Sequence, residues 1–167
     1  MGQYGTKLVL LRGNSGSGKS SIAEQLRLQM SGKTALIGQD NLRRTILKEK
    51  EVDGGDNIDL IEQTVRFALD RDYNVVLEGI FYFPRYGHML QRLVDSYPKH
   101  FVYYFDASLE ETLRRHATKP NSHEFGEEQM RSWYSPHDTT GFTGEKIIPE
   151  SSSFENTLSM ILADVEG

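Results

Sequence analysis

The chain has 167 residues, a formal net charge of −5 and no cysteine. That length predicts one domain, residues 1–167, with a core of its own, and the missing cysteines exclude disulfides and thiolate metal sites. The acidic balance excludes a bulk electrostatic pull toward nucleic acid, so phosphate affinity must come from local placement. No apolar run is of membrane-spanning length, Met1–Thr6 lacks signal-peptide character, and a soluble cytoplasmic protein is expected.

Lys7–Leu11 is a short apolar run, as a buried strand would be. Gly13-Asn14-Ser15-Gly16-Ser17-Gly18-Lys19-Ser20 follows and reads G-x-x-x-x-G-K-S, the phosphate-binding loop of nucleoside-triphosphate enzymes. A helix with apolar spacing runs from Ser21 to about Met30 and stops at Gly32. That strand–loop–helix context is what the motif requires. Glycines let successive N–H groups point inward, and the helix adds the positive end of its dipole. The segment Gly13 to Ser21 is therefore assigned to nucleotide, with Lys19 on the β- and γ-phosphates and the Ser20 hydroxyl on Mg²⁺.

Thr34–Ile37 is the second strand, and a helix is expected from Gly38-Gln39-Asp40 to about Lys48. Glu49–Asn57 reads as a mobile loop with Asn57 capping a helix over Ile58–Asp70. Asn74–Leu77 is strand three and ends at Glu78-Gly79. A helix from about Arg85 to Tyr97 precedes strand four, His100–Phe105. Ser108-Leu109-Glu110-Glu111 is a capping box for the helix that carries Arg114 and Arg115. Pro120–Phe125 interrupts it, Glu127–Tyr134 is a short polar helix, and Ser135–Gly144 is rich in turns. Strand five is Lys146–Ile148, Pro149–Ser153 is a loop, and Phe154–Val165 closes the chain. Strands alternating with helices predict an α/β fold with a parallel sheet covered on both faces, and ligand groups at the carboxyl ends of its strands.

Three groups join the phosphate loop as candidates. Asp40 and Arg43 share a helical face at i, i+3. Asp40 can orient an acceptor hydroxyl and take its proton, or cap its helix; Arg43 can clamp acceptor or phosphate. Glu78 can hold Mg²⁺ through water, contact substrate, or cap the next turn. Arg114, Arg115, Lys119 and Arg131 can supply cations to the charge that develops in phosphoryl transfer, or stay solvated. Arg85, Tyr82, Tyr86 and His88 are expected along an acceptor pocket, and Trp133 in a lid or pocket wall. The five histidines are scattered, so no zinc site is expected.

Gly13–Ser20, Asp40-x-x-Arg43, Val75-Val76-Leu77-Glu78-Gly79 and Leu113-Arg114-Arg115 together resemble the small P-loop kinases of the nucleoside-monophosphate-kinase-like group. Within it, the zeta-toxin, chloramphenicol-phosphotransferase and polynucleotide-kinase branch is most similar. The resemblance implies a three-layer P-loop NTPase fold, strand order 2-3-1-4-5, with a small helical lid over about residues 114–140. It implies Asp40 acting toward the acceptor, lid arginines on the phosphates, and Pro149–Ser153 near adenine. The function expected is an ATP- and Mg²⁺-dependent phosphotransferase for a small-molecule acceptor, with Lys19, Asp40, Arg43, Arg114 and Arg115 catalytic. Asp40, Arg43, Glu78 and Arg85 would bind that acceptor, and Ser20 and Glu78 the metal. One alternative is a polynucleotide 5′-hydroxyl kinase with Arg43, Arg85 and Arg92 in a local groove. Another is a nucleotide-binding switch or slow ATPase; the N-K-x-D base signature of common GTPases is missing.

Overall fold

The computed structural model describes residues 5–119 and 125–167. Five strands form one sheet: β1 Leu8–Gly13, β2 Thr34–Gly38, β3 Asn74–Gly79, β4 His100–Asp106 and β5 Lys146–Pro149. Their order is β2-β3-β1-β4-β5 and every neighbour is parallel, with Leu8 in register with Val75 on one side and His100 on the other. This is the expected α/β arrangement. The helices are α1 Lys19–Gln29, α2 Asp56–Leu69, α3 Phe83–Ser96, α4 Leu109–Ala117, α5 Glu127–Trp133 and α6 Phe154–Glu166.

Side chains alternate across the pleat, and both sides of the sheet are buried. Leu8 and Leu10 of β1 join Val75 and Leu77 of β3 in a core with Ile61 and Val65 of α2 and Met89, Leu90 and Leu93 of α3. Val9 and Leu11 point the other way, into Ile22 and Leu26 of α1 and Ile161 and Val165 of α6. The carboxyl ends of β1, β2 and β3 thus bring Gly13, Asp40 and Glu78 to one edge, beside the point where β1 parts its two neighbours.

Three local expectations change. The helix after β2 is π-helical over Asn41–Ile46, with Leu47 N–H bonded to the Leu42 carbonyl, and it ends before Lys48. The loop after it is tied down, not free. The Glu49 carboxylate accepts from the N–H groups of Asp56 and Asn57 and from the Asn57 amide, capping α2 where Asn57 was expected to do so. α2 accordingly begins at Asp56. A carboxylate at a helix N-terminus satisfies orphan donors and meets the dipole. Ser108 does cap α4 by accepting from Glu111 N–H, but Glu150, not Glu111, receives the Ser108 N–H. Glu111 is drawn away by Arg114 and Arg115, which hold its carboxyl down to about 2. The interruption expected over 120–125 lies, apart from Phe125, outside the described residues.

The last residue before the phosphate loop is a buried arginine. Arg12 is fully buried and donates to the Phe81 carbonyl (2.7 Å), the Asp138 carbonyl (2.6 Å) and the Asp138 carboxylate (2.8 Å). Its guanidinium also faces the rings of Phe83 and Tyr104. Burial pulls its pKa down, and Asp138 opposes that. Asp138 in turn accepts from Phe83 N–H and donates its own N–H to the Tyr104 hydroxyl. Phe81 sits at positive φ, and its N–H is held by Gln39 as its carbonyl is by Arg12. One ion pair therefore joins β1, the β3–α3 turn and the segment after α5.

Removing one partner of such a pair strands a buried charge. Asp138→Ala is expected to cost about 3–5 kcal/mol in urea unfolding. A loss below about 1 kcal/mol would show that the pair is not what closes this end of the sheet.

Candidate active site

The phosphate loop leaves β1 with its backbone preset. Gly13 lies so close to the end of β4 that a Cβ there would stand 2.8 Å from the Phe105 carbonyl. Gly16 has φ +82° and its Cβ would meet the Thr112 carbonyl of α4 at 2.6 Å. The loop's polar groups are clamped from outside. The Asn14 amide donates to the Ser135 carbonyl (2.7 Å) and accepts from Ser135 N–H (2.9 Å). Lys19 is buried, and its ammonium donates to the Asn14 carbonyl at 3.1 Å. Burial lowers the Lys19 pKa, and the carboxylates of Glu78 and Asp40 raise it. The cradle, the buried lysine and the following helix fit a bound nucleotide's phosphates.

Glu78 extends from the end of β3 until its Oε2 lies 3.3 Å from the Ser20 hydroxyl. Burial raises its pKa, while Lys19 pulls it down. Among the described residues no group of three His, Cys, Asp or Glu could hold a metal. The pair Ser20 and Glu78 fits a Mg²⁺ ion only if phosphate oxygens and water complete its shell, as Mg²⁺ prefers.

Three cavities adjoin the loop. One of about 490 Å³ lies between α4, the loop and 149–154, lined by Gly18, Ser21, Arg114, Arg115, Pro149 and Phe154 among others. A second, about 380 Å³, is the phosphate end, with Lys19, Ser20, Asp40, Arg44, Glu78 and Lys119 on its walls. A third, about 370 Å³, lies beyond it, between Asp40, Arg43, Glu51, Tyr82, Arg85 and Trp133. Ser15, Asp40, Arg44, Ile80 and Phe125 line both of the last two.

Asp40 makes no side-chain cap, which removes that competing role. Its carboxylate is 71 % exposed and only loosely approached by Arg43 (3.9 Å) and Arg44 (3.8 Å). Both arginines stand on the π-helical turn, three and four residues after Asp40. Arg43 reaches the third cavity, but it is buried and donates to the Glu49 carbonyl (2.7 Å) beside the Glu51 carboxylate. Arg85 lines the same cavity, paired with Asp53 and Glu51.

The remaining candidates separate. Arg115 donates to the Ser17 carbonyl of the loop (2.7 Å) and to the Glu150 carbonyl (2.9 Å). Arg114 stays at the rim, exposed and paired with Glu111. Lys119 lines both the first and second cavities. Arg131 pairs with Glu127 on the outside of α5. Tyr82 and Trp133 are cavity walls as expected. Tyr86 is not: it is buried, its hydroxyl bonded to Glu51, and His88 is on the exposed face of α3. Of the three arginines suggested for a groove, Arg43 and Arg85 line one cavity and pair with Glu51, while Arg92 pairs with Glu62. Arg12, Arg44, Glu49 and Glu51 were not singled out from sequence. Only Arg12 gave a signal, as a charge inside an apolar strand.

Residues 8–137 match a protein family described as AAA domain. The chain belongs to that AAA domain family. No curated protein matches it in sequence. Among solved structures, the APS kinase of Mycobacterium tuberculosis, in complex with AMPPNP and APS, superimposes with a TM-score of 0.73. It is 18 % identical, over 97 % of this chain and 98 % of that one. A gluconokinase from Sinorhizobium meliloti gives 0.68 at 16 % identity, over 98 % and 93 %. A chain of the Pnkp1/Rnl/Hen1 RNA repair complex gives 0.54 at 19 % identity, over 98 % of this chain and 45 % of that one. The fold of this member of the AAA domain family is thus that of the P-loop kinases. No helix among its described residues is long and apolar enough to cross a membrane.

Arg115 braces the loop through two carbonyls, and charged hydrogen bonds of this kind contribute about 1.5–3 kcal/mol each. Arg115→Ala is expected to weaken binding of a nucleoside triphosphate analogue by roughly tenfold to a hundredfold in calorimetry. Unaltered affinity would mean that the loop holds its shape without the brace.

Proposed function

We propose that the protein is an ATP- and Mg²⁺-dependent phosphotransferase acting on a hydroxyl of a small molecule held in the cavity of about 370 Å³. The observation that carries this reading is the place of Asp40. It stands where that cavity meets the phosphate cavity, uncapped and exposed, at the end of the strand beside the one that carries Glu78. A base there lies between a nucleophile on one side and a phosphate on the other, which transfer requires and simple nucleotide binding does not.

The residues divide the work. The loop N–H groups and Lys19 bind and orient the phosphates. Asp40 takes the proton of the acceptor hydroxyl as its oxygen forms the bond to the γ-phosphorus; the bond to the β–γ bridging oxygen breaks and ADP leaves. Bound Mg²⁺ would neutralise charge on the β- and γ-oxygens, held by Ser20 directly and by Glu78 through water. Tyr82 and Trp133 line the acceptor's cavity, while Arg43 and Arg85 are fixed along its wall by Glu51. The first cavity would take the base, with Pro149–Ser153 along it.

The likeness to a chain of an RNA repair complex keeps a nucleic-acid acceptor within the test. Mg²⁺-ATP consumption is measured with antibiotics, sugars, nucleosides, nucleotide sugars and 5′-hydroxyl oligonucleotides. Turnover that rises with one class and yields its phosphorylated product by mass supports the proposal. Oligonucleotide product alone, or slow hydrolysis that no acceptor stimulates, would overturn it in favour of the other two readings.

Two variants test the roles. Lys19→Ala is expected to abolish transfer in a folded protein, read by product formation against circular dichroism. Asp40→Asn is expected to lower transfer by about 10²–10⁴ while nucleotide affinity changes little; equal losses in both would remove Asp40 from the proton transfer.

A further inference from the structure

The phosphate cavity needs a cation near the phosphoryl group on its acceptor side, and most arginines around it are committed elsewhere. Arg43 is taken by the Glu49 carbonyl and Glu51, Arg85 by Asp53 and Glu51, and Arg115 by Glu111 and two carbonyls. Arg44 differs. It lines both the phosphate cavity and the acceptor cavity. Its ion contact among the described residues is Asp40 at 3.8 Å, too long for a hydrogen bond. Its guanidinium lies over Trp133 at 5.1 Å and Phe125 at 6.0 Å, which fixes the plane without using its N–H donors.

We propose that Arg44 is a catalytic residue: the cation that, from the acceptor side, bonds the oxygens of the phosphoryl group during transfer. This rests on the phosphotransferase reading above. The charge accounting favours it. When Asp40 takes the acceptor's proton its negative charge disappears, and its attraction for Arg44 goes with it. Charge is at that moment spread over the three equatorial phosphoryl oxygens, with the donors of Arg44 free to meet it. No proton leaves Arg44, and no bond to it forms or breaks. Lys19 and Lys119 reach the same cavity from the loop and from the nucleotide side, so Arg44 closes the open third side.

The test needs no identified acceptor. Calorimetry gives the affinity of the full chain for Mg²⁺-AMPPNP and for Mg²⁺-ADP with aluminium fluoride, a planar mimic of the phosphoryl group in flight. Wild type is expected to bind the mimic at least tenfold more tightly than the same nucleotide without fluoride. Arg44→Gln is expected to weaken the mimic a hundredfold or more and AMPPNP by less than threefold, with Arg44→Lys between. Equal changes for both ligands, or no change for either, would overturn the role of Arg44. Wild type that gains nothing from aluminium fluoride would instead overturn the phosphotransferase reading, before any variant is made. Should Arg44→Gln fail to fold by its thermal transition, Trp133→Leu keeps the guanidinium and removes its platform. That variant is expected to lose roughly tenfold on the mimic alone; an unchanged ratio of the two affinities would overturn the proposal.

Discussion

A cradle made of backbone N–H groups has to be held open when no phosphate fills it. Each N–H turned inward leaves a carbonyl turned elsewhere, and a buried carbonyl without a donor is costly. Here the chain answers with cations. The Asn14 carbonyl takes Lys19, and the Ser17 carbonyl takes Arg115. The Asn14 side chain then fastens the loop to Ser135 by two hydrogen bonds, one given and one accepted. Two residues earlier, Arg12 fastens β1 to Asp138, three residues on from Ser135. The segment after α5 is thus secured to the phosphate loop and to the strand that launches it.

The same constraint explains the charge distribution. The chain is acidic overall, yet Arg43, Arg44, Arg85, Arg114 and Arg115 line the three cavities. Four of these pair closely with a carboxylate, Arg43 and Arg85 with Glu51 and Arg114 and Arg115 with Glu111 of their own helix. Glu51 serves Arg43 and Arg85 together and also receives the Tyr86 hydroxyl. Arginines held this way keep their position and orientation but present little net field, so an acceptor meets geometry more than charge. The phosphate end is the exception: Lys19 and Lys119 both have lowered pKa values from burial, a sign of cations held partly out of water.

The sheet, its order of elements and the phosphate loop were legible because each rests on a local pattern. Apolar runs such as Val75-Val76-Leu77 announce strands buried on both faces, and the glycines of 13–18 announce a backbone only they adopt easily. Asp40 and Glu78 could be placed because strand ends are where such sheets keep their ligands. What sequence did not give was decided by partners far along the chain. Asn57 looks like a cap, but Glu49 folds back to take the helix end first. Tyr86 looks like a pocket residue, but Glu51 draws its hydroxyl inward. Arg12 and Asp138 are 126 residues apart, and no spacing rule joins them. The turn that carries Arg43 and Arg44 is π-helical, which periodicity read at 3.6 residues cannot detect.

That turn separates signature from architecture. A helix with an i→i−5 bond carries about one residue more per turn than an α-helix. Loss of a single residue from Thr45–Leu47 would leave Asp40-Asn41-Leu42-Arg43-Arg44 intact and let the helix wind regularly. The five letters would read as before, but their register against the segment that follows would differ. Among proteins sharing this pattern of letters, the length of the segment that follows it is therefore as informative as the letters, and two chains with the same motif need not have the same site.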